Sequence, residues 1–169
     1  MNHWMTQLAS HYESVRSRYP DDRLLILFDI DGTILDMRHM IYDLLTRYDA
    51  EKRTALFDTL TVADIAVHED DVASLLDERG VSNGERDSIL KWFDVAQWSP
   101  DVLLESHRPF AGVMEVMRWF QIQPRTYVGL NTGRPESMRM ETLRSLNRLG
   151  EEYKVSFTSG SVCLAWVEV

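Results

Sequence analysis

The 169-residue chain has a single cysteine, Cys163, and this excludes an internal disulfide. It also has no run of basic residues: 18 Lys and Arg stand against 27 Asp and Glu, giving a formal net charge of -9. Proteins that bind nucleic acid or anionic membranes usually carry a basic patch, and that patch is missing. We therefore expect neither a nucleic-acid nor a membrane partner.

Long apolar segments are missing as well. Residues 1–20 contain no apolar core of a signal peptide, and no window approaches the roughly 18 apolar residues of a membrane span. Together with the lone cysteine, these absences predict a soluble, cytoplasmic protein. With 44% hydrophobic residues the chain can bury one core plus an insertion, whereas two independent domains would be cramped.

The most informative stretch that is present is LLILFDIDGTILD, residues 24–36. An apolar run leads into two carboxylates one residue apart, Asp29 and Asp31, and breaks at Gly32. A short run of Leu, Ile and Phe that ends in this way is typical of a strand buried on both faces. We expect residues 23–29 to form such a strand.

Two further strands are predicted later in the chain. Residues 126–130 are apolar and precede Asn131, Thr132 and Gly133, while residues 154–158 fit a short third strand. Helical spacing predicts helices at residues 2–18, at 113–120 and from Pro135 to about Gly150. Strands that alternate with helices in this way predict an α/β domain with a parallel sheet.

A long helical block separates the first two strands. Between residues 37 and 107 the apolar residues recur at helical spacing and no convincing strand occurs, as the following positions show: Ile41, Leu44, Leu45, Tyr48, Val72, Leu75, Leu76, Ile89, Leu90, Trp92 and Phe93. We therefore predict a core made of residues 1–36 and 108–169, with residues 37–107 inserted as a helical domain. Pro109 and Gly112 mark the return to the core.

The carboxyl ends of parallel strands form the ligand crevice of such a sheet, and Asp29 and Thr132 each lie at one. An aspartate there, with a second carboxyl two residues later, can act as nucleophile and general acid or base on a phosphoryl group. Gly32 would let backbone amides approach an anion. Because two carboxylates repel a phosphate, a hard cation is implied, and Mg²⁺ is the most plausible one.

These residues also carry a family resemblance. FDIDGTILD resembles motif I of the haloacid dehalogenase (HAD) superfamily in its phosphatase form, DxDGT, and LNTGRP resembles motif II. The block 37–107 resembles the helical C1 cap of that family, and RPFAGVMEVMRWF, residues 108–120, resembles its usual return to the core. The resemblance spans about residues 20–158. It implies a Rossmannoid parallel sheet with an all-α cap.

The resemblance also implies roles for individual residues. Asp29 would be the nucleophile that forms an aspartyl-phosphate, and Asp31 would protonate the leaving oxygen and later deprotonate the attacking water. Mg²⁺ would be held by the Asp29 carboxylate and the Asp31 backbone carbonyl. The substrate would be a small phosphorylated metabolite. Its phosphate would be bound by residues of the two motifs, namely Gly32, Thr33, Asn131, Thr132 and Gly133.

The chain departs from the family pattern in its last third. The family uses a Lys or Arg that stabilises the phosphoryl charge and further acidic residues that complete the metal site. No aspartate follows Asp101, the only acid beyond Glu152 is Glu168, and the only lysine after motif II is Lys154. We therefore expect about three core strands, a truncated C-terminus and an impaired phosphohydrolase. The alternative is a non-catalytic truncated protein of this fold, or an interaction module.

Several of these residues also have simpler interpretations. Asp29 and Asp31 could form a strand end and an Asx-turn, and Thr132 could cap the helix that follows. Arg134 is more typical of a solvated residue in a first helical turn. Two other groups have a functional and a structural interpretation, and the structural one is favoured. The group His68, Glu69, Asp70 and Asp71 resembles a metal site in composition but is more typical of an acidic helix start. His107 and Arg108 could touch a substrate, but a hinge or surface position is favoured.

The tail, residues 162–169, has seven apolar residues among its eight and is too short to span a membrane. Its β-branched and aromatic residues predict a strand. The shortest connection would make it a hairpin on the third strand. That arrangement would leave the edge of the first strand open, and an open apolar edge favours self-association of the chain.

Overall fold

The computed structural model describes residues 3–68 and 71–164. No helix in these ranges is long and apolar enough to cross a membrane. The helices and strands follow in chain order: α1 (His3–Arg18), β1 (Leu24–Asp29), α2 (Arg38–Lys52), α3 (Val72–Glu78), α4 (Asn83–Ala96), α5 (Pro100–Glu105), α6 (Val113–Gln121), β2 (Thr126–Thr132), α7 (Arg139–Gly150) and β3 (Val162–Leu164).

The three strands form one parallel sheet in the order β1-β2-β3. Leu24 of β1 pairs with Thr126 of β2, and the register continues to the pair of Asp29 and Asn131. Because the strands are parallel, their carboxyl ends lie at the same edge of the sheet. The predicted α/β architecture with a parallel sheet is confirmed.

The predicted third strand is in the wrong place. Residues 154–158 form no strand, because α7 runs on into a 3-10 turn, Glu151–Tyr153, that ends with Lys154 in the left-handed conformation (φ 58°). The backbone groups of Phe157 are then held by the Asn147 side chain, at 2.7 Å for the Phe157 amide and 3.0 Å for its carbonyl. A backbone satisfied in this way cannot join a sheet.

The third strand lies in the tail instead. Val162–Leu164 pairs in parallel with Leu130–Thr132, so the prediction that the tail forms a strand is confirmed for these residues. The predicted hairpin is wrong, because a hairpin would be antiparallel and would pair with residues 154–158. The rest of the tail, residues 165–169, lies outside the described residues.

Strand β1 is not buried on both faces, which corrects a second prediction. Its residues alternate between half-buried and exposed: Leu25 is 58% exposed and Leu27 is 53% exposed. Tyr127, the register partner of Leu25 on β2, is 52% exposed. One face of the sheet is therefore open along β1 and β2.

The connections between the strands explain this open face. The chain moves in one direction across the sheet, from β1 to β2 to β3, and right-handed crossovers in one direction place α6 and α7 on the same face. There, Phe28 of β1 packs edge-to-face on Phe120 of α6 with ring centroids 6.0 Å apart. Helix α1 joins this layer, since Tyr12 lies 5.1 Å from Trp119.

The described part of the block between β1 and α6 contains helices joined by loops and no strand, as predicted. Its apolar positions at helical spacing form its interior, and the buried ones are Ile41, Leu44, Leu45, Tyr48, Val72, Leu75, Leu76, Ile89 and Phe93. The chain enters and leaves the block beside Leu35, which makes isolated bridges to Asp31 and to Pro109. The boundaries of the block as a domain, residues 37–107, stay a prediction.

Candidate active site

Asp29 and Thr132 are the last residues of adjacent strands, as expected. Asp29 pairs with Asn131 in the register of β1 and β2. Asp29 and Asn131 are both exposed at the carboxyl edge of the sheet. The Thr33 hydroxyl donates to the Asp29 carboxylate at 3.4 Å. The strand thus fixes the backbone of Asp29 and leaves its carboxylate open to solvent.

Thr132 lies on the covered side of the sheet. It is 1% exposed, and its hydroxyl accepts the backbone N–H of Arg134 at 3.2 Å. This bond closes a turn ahead of Pro135, and α7 begins only at Arg139, so Thr132 does not cap that helix. Gly133, which lies between Thr132 and Arg134, is exposed.

The loop after Asp29 is tightly closed on itself. Gly32 has φ 73°, a left-handed conformation that favours glycine, and its N–H donates to the carbonyl of Leu35 at 3.1 Å. The amides of Ile34 and Leu35 both donate to the carbonyl of Ile30 at 2.9 Å. In this conformation the Gly32 N–H is already hydrogen-bonded within the loop. Gly32 and Thr33 are both exposed at the tip of the loop.

The helical block reaches this loop through His68. A Cβ built on Gly32 would lie 3.0 Å from the Nε2 atom of His68, so glycine is needed here for close approach as well as for its φ. Asp71 is the N-cap residue of α3, in line with the expected helix start, while residues 69–70 lie outside the described residues. The sequence contained no signal that His68 would lie against the motif I loop.

Asp31 is bound on both carboxylate oxygens by Arg134. The Arg134 Nε donates to Oδ2 at 2.8 Å and Nη2 donates to Oδ1 at 2.5 Å, a bidentate ion pair. The Arg134 side chain is 2% exposed and that of Asp31 is 18% exposed. The interpretation of Arg134 as a solvated first-turn residue is therefore wrong, because its side chain is buried and paired with Asp31.

Arg134 has two further buried partners. Its Nη1 donates to the Thr142 hydroxyl of α7 at 3.1 Å, and its Nη2 lies 3.4 Å from the Nε2 atom of His107. The other ring nitrogen of His107, Nδ1, lies 2.9 Å from the carbonyl of Leu103. Because a carbonyl can only accept, Nδ1 carries the proton and Nε2 accepts from Arg134.

His107 is neutral at physiological pH. Burial lowers its pKa from 6.5 to about 4, and the positive charge of Arg134 acts in the same direction. With 1% of its surface exposed, His107 is not the surface residue expected from the sequence. The signal was a histidine two residues before Pro109, where the chain returns to the core, but neither spacing nor composition showed that it faces Arg134.

Lys154, the only lysine after motif II, lies at the other edge of the sheet. The nearby carbonyl of Ser156 accepts a hydrogen bond from the Gln121 side chain at 3.0 Å, and Gln121 ends α6, just before β2 begins. Lys154 is exposed near this edge, where α6 ends and β2 begins. The cation that contacts Asp31 is the guanidinium of Arg134 instead.

The donor set for magnesium is sparse. Asp29 offers an exposed carboxylate, but the Asp31 carboxylate is engaged by Arg134. Within residues 3–68 and 71–164, no group of three or more His, Cys, Asp or Glu residues could hold a metal ion. Since Mg²⁺ requires six oxygen ligands, these residues fit at most a largely hydrated, weakly held ion.

A mostly apolar cavity of about 540 Å³ adjoins the same loop. Gly32 and Thr33 form one side of it, and Phe28, Phe110 and Trp4 contribute aromatic walls. Asp29 is not among the residues that line the cavity, but Thr33, which is, donates a hydrogen bond to the Asp29 carboxylate. The size of the cavity suits the organic part of a small ligand.

Comparison with known proteins gives structural matches only. No family model matches the chain, and no curated protein sequence matches it. A crystal structure of a HAD-superfamily hydrolase, subfamily IA, variant 1, from Geobacter sulfurreducens PCA matches with a TM-score of 0.50 and 15% identity. The match covers 83% of this chain and 62% of that one.

A second match is a HAD family hydrolase from Deinococcus radiodurans R1, solved with bound phosphate and sodium. Its TM-score is 0.43 at 17% identity, over 77% of this chain and 54% of that one. This chain therefore spans less than two thirds of the length of either protein. At sequence identities this low, a structural match is evidence about the fold and not about the activity. The parallel sheet, the helical insertion after β1 and the first of these matches show that the chain has the HAD-like fold.

Proposed function

We propose that the chain is a HAD-type phosphohydrolase that acts on a small phosphate ester, with Asp29 as its nucleophile. The observation that carries this proposal is the exposed Asp29 carboxylate at the carboxyl end of β1, directly beside the end of β2. A carboxylate fixed by a strand and open to solvent can meet a phosphoryl group without rearrangement of the backbone.

The reaction has two steps. An Asp29 oxygen attacks phosphorus, the bond from phosphorus to the ester oxygen breaks, and the alcohol leaves with a proton. Water then attacks the aspartyl-phosphate, which releases phosphate and regenerates the Asp29 carboxylate. Asp31, two residues along the chain, is the general acid and base that the resemblance implies. Its carboxylate is held in place by Arg134.

We propose a small phosphorylated metabolite as the substrate and the cytoplasm as the location. The adjoining cavity of about 540 Å³ supports an organic group of modest size with an apolar part. Any Mg²⁺ would be held weakly by the Asp29 carboxylate and the Asp31 carbonyl, because the described residues contain no group of three or more His, Cys, Asp or Glu that could hold it. When bound, the ion would neutralise phosphate charge.

The second candidate is a non-catalytic protein of the same fold. One observation favours it: Arg134 binds both oxygens of Asp31, so neither oxygen is free of an ion-pair partner. If this engagement keeps Asp31 from transferring a proton, the strand ends would bind a phosphate ester without turning it over, or the fold would serve as an interaction module.

Hydrolysis of p-nitrophenyl phosphate with Mg²⁺ separates the two candidates. We expect turnover in the wild type and a loss of at least about 100-fold in Asp29→Asn, because the amide cannot attack phosphorus. Asp87→Asn is the matched control, since Asp87 is exposed on α4 and should leave the rate unchanged.

Activity that Asp29→Asn leaves intact would contradict the enzymatic proposal. A folded wild type with no turnover would favour the non-catalytic candidate. Titration calorimetry on the same two variants tests the metal. Tight Mg²⁺ binding that requires Asp29 would show that the weak, largely hydrated site is wrong.

A further inference from the structure

A buried set of polar side chains connects the helical block to Asp31. We propose that Arg134 and His107 are positioning residues for Asp31: Arg134 fixes the orientation of its carboxylate, and neutral His107 fixes Arg134. This inference rests on the proposed function, because it assigns Asp31 a task that needs orientation. Neither residue is proposed to touch the reacting atoms.

The Arg134 fork has one arrangement that satisfies its three hydrogen bonds to Asp31 and Thr142. Nε and Nη2 donate to the two Asp31 oxygens at 2.8 and 2.5 Å, while Nη1 donates to Thr142 at 3.1 Å. A guanidinium is planar, so these three directions fix the rotation of the group and therefore the plane of the Asp31 carboxylate. Since Arg134 is buried, turning away would leave an unpaired charge inside the protein.

His107 supplies the remaining contact. Its Nε2 lies 3.4 Å from Nη2 of Arg134, and its Nδ1–H donates to the Leu103 carbonyl at 2.9 Å. The ring is therefore anchored on α5 and presents an acceptor to Arg134. A protonated ring would present a second N–H to a guanidinium, and this arrangement repels, so only the neutral ring fits.

The set joins two parts of the molecule. Leu103 lies in α5, the last helix of the block, whereas Asp31 lies in the loop after β1. His107 comes two residues before Pro109, where the chain returns from the block to the core. A displacement of α5 relative to the sheet would thus move His107 and alter the Arg134 fork. Misplacing a catalytic group by about 1 Å can cost on the order of 100-fold in rate.

Substitutions of His107 can separate positioning from packing. His107→Phe keeps the volume of the ring and removes both hydrogen bonds, whereas His107→Gln fills the site less well but restores an oxygen that can accept from Arg134. We expect kcat for p-nitrophenyl phosphate to fall at least about 10-fold in His107→Phe with KM within about 2-fold, and His107→Gln to recover part of the loss. His11→Phe, at an exposed histidine on α1, is the matched control.

A purely structural role predicts the reverse order, with phenylalanine tolerated better than glutamine, and that result would overturn the proposal. Equal kcat in the wild type and both His107 variants would overturn it as well. Arg134→Lys keeps the charge but loses the fork, so it should lower kcat while thermal melting shows a folded protein.

A second measurement does not depend on activity. In NMR spectra of the imidazole nitrogens, we expect wild-type His107 to be protonated on Nδ1 at pH 7. The Nε2 signal should shift in Arg134→Lys and in Asp31→Asn, since both change the donor that faces it. Nε2 signals unchanged in both variants would refute the positioning role. If the wild type shows no turnover, the proposed function fails and this measurement still decides the positioning role.

Discussion

At the scale of single residues, His107 shows how burial beside a fixed cation sets a protonation state. Its ring faces Arg134 directly, with the charges of Asp31 and Arg108 nearby. Desolvation and the two arginines lower its pKa, whereas Asp31 raises it, and the net result is a pKa of about 4. The same burial that makes His107 a good acceptor therefore makes the fold sensitive to acid.

The pH dependence of stability follows from this pKa. In the unfolded chain His107 takes up a proton near pH 6.5, while in the folded protein it stays neutral down to about pH 4. The free energy of unfolding should therefore fall as the pH is lowered from 6.5 towards 4, by an amount on the order of 1 kcal/mol per pH unit, and this contribution should level off below pH 4.

Urea unfolding at several pH values between 7 and 4.5 measures this contribution. His107→Gln is the matched variant, because glutamine does not titrate and its stability should decline less over the same interval. Identical pH profiles for the two proteins would contradict the low pKa. Carboxylates such as Asp36, whose pKa is lowered by the hydrogen bond from Arg38, lose their contribution only at lower pH.

At the scale of secondary-structure elements, β3 is the part of the tail that contributes to the sheet. Its three residues pair with Leu130–Thr132, the end of β2 that carries the site. Just before it, the carbonyl of Ser161 lies 3.6 Å from a Cβ built on Gly129. Strand β3 therefore covers one edge of β2 and holds the carboxyl end of that strand in the sheet.

Removal of residues 161–169 should destabilise the protein. The deletion exposes the backbone groups of β2 that pair with β3, and unpaired strand edges also promote aggregation. We expect a melting temperature lower by several degrees, at about 2–4 °C per kcal/mol for a chain of this size, or precipitation. A deletion variant that stays monomeric and melts at the wild-type temperature would exclude a structural role for the tail.

At the scale of the whole molecule, the described part of the sheet has a bare face and an open edge. Strand β1 pairs only with β2 in the described ranges, and Leu25 and Leu27 project from its uncovered face. An apolar edge strand is a template for another strand. The self-association expected from the sequence therefore has a defined surface, for which we propose a second copy of the chain as partner.

Substitutions on β1 test this interface. Leu25→Lys and Leu27→Thr should lower the fraction of dimer measured by analytical ultracentrifugation, because a lysine on an edge strand opposes strand pairing. Val95→Thr is the control, since Val95 is 78% exposed on α4, away from the sheet. A wild type that stays monomeric over the full concentration range would exclude self-association through β1.

Local sequence determined most of the elements and their order. The run 24–29, the apolar stretch before Thr132 and the helical spacing of Ile41, Leu44 and Leu45 each specify one element through periodicity and turn residues, which act over a few neighbours. For the same reason the sequence placed Asp29 and Thr132 at strand ends. The same reasoning predicted a strand at residues 154–158, and that prediction was wrong. The Asn147 side chain, ten residues before Phe157, makes the hydrogen bonds of the Phe157 backbone that a neighbouring strand would otherwise make.

Only the tertiary structure decided which of these elements meet. Helices α6 and α7 lie on the same face because the strands are added in one direction across the sheet. The apolar pattern of β1 therefore could not show that Leu25 and Leu27 stay exposed on the other face. The contacts of Arg134 with Asp31 and His107 join residues that are 103 and 27 positions apart. Contacts at such separations leave no periodic pattern in the sequence, because they depend on how the chain packs and not on any local preference.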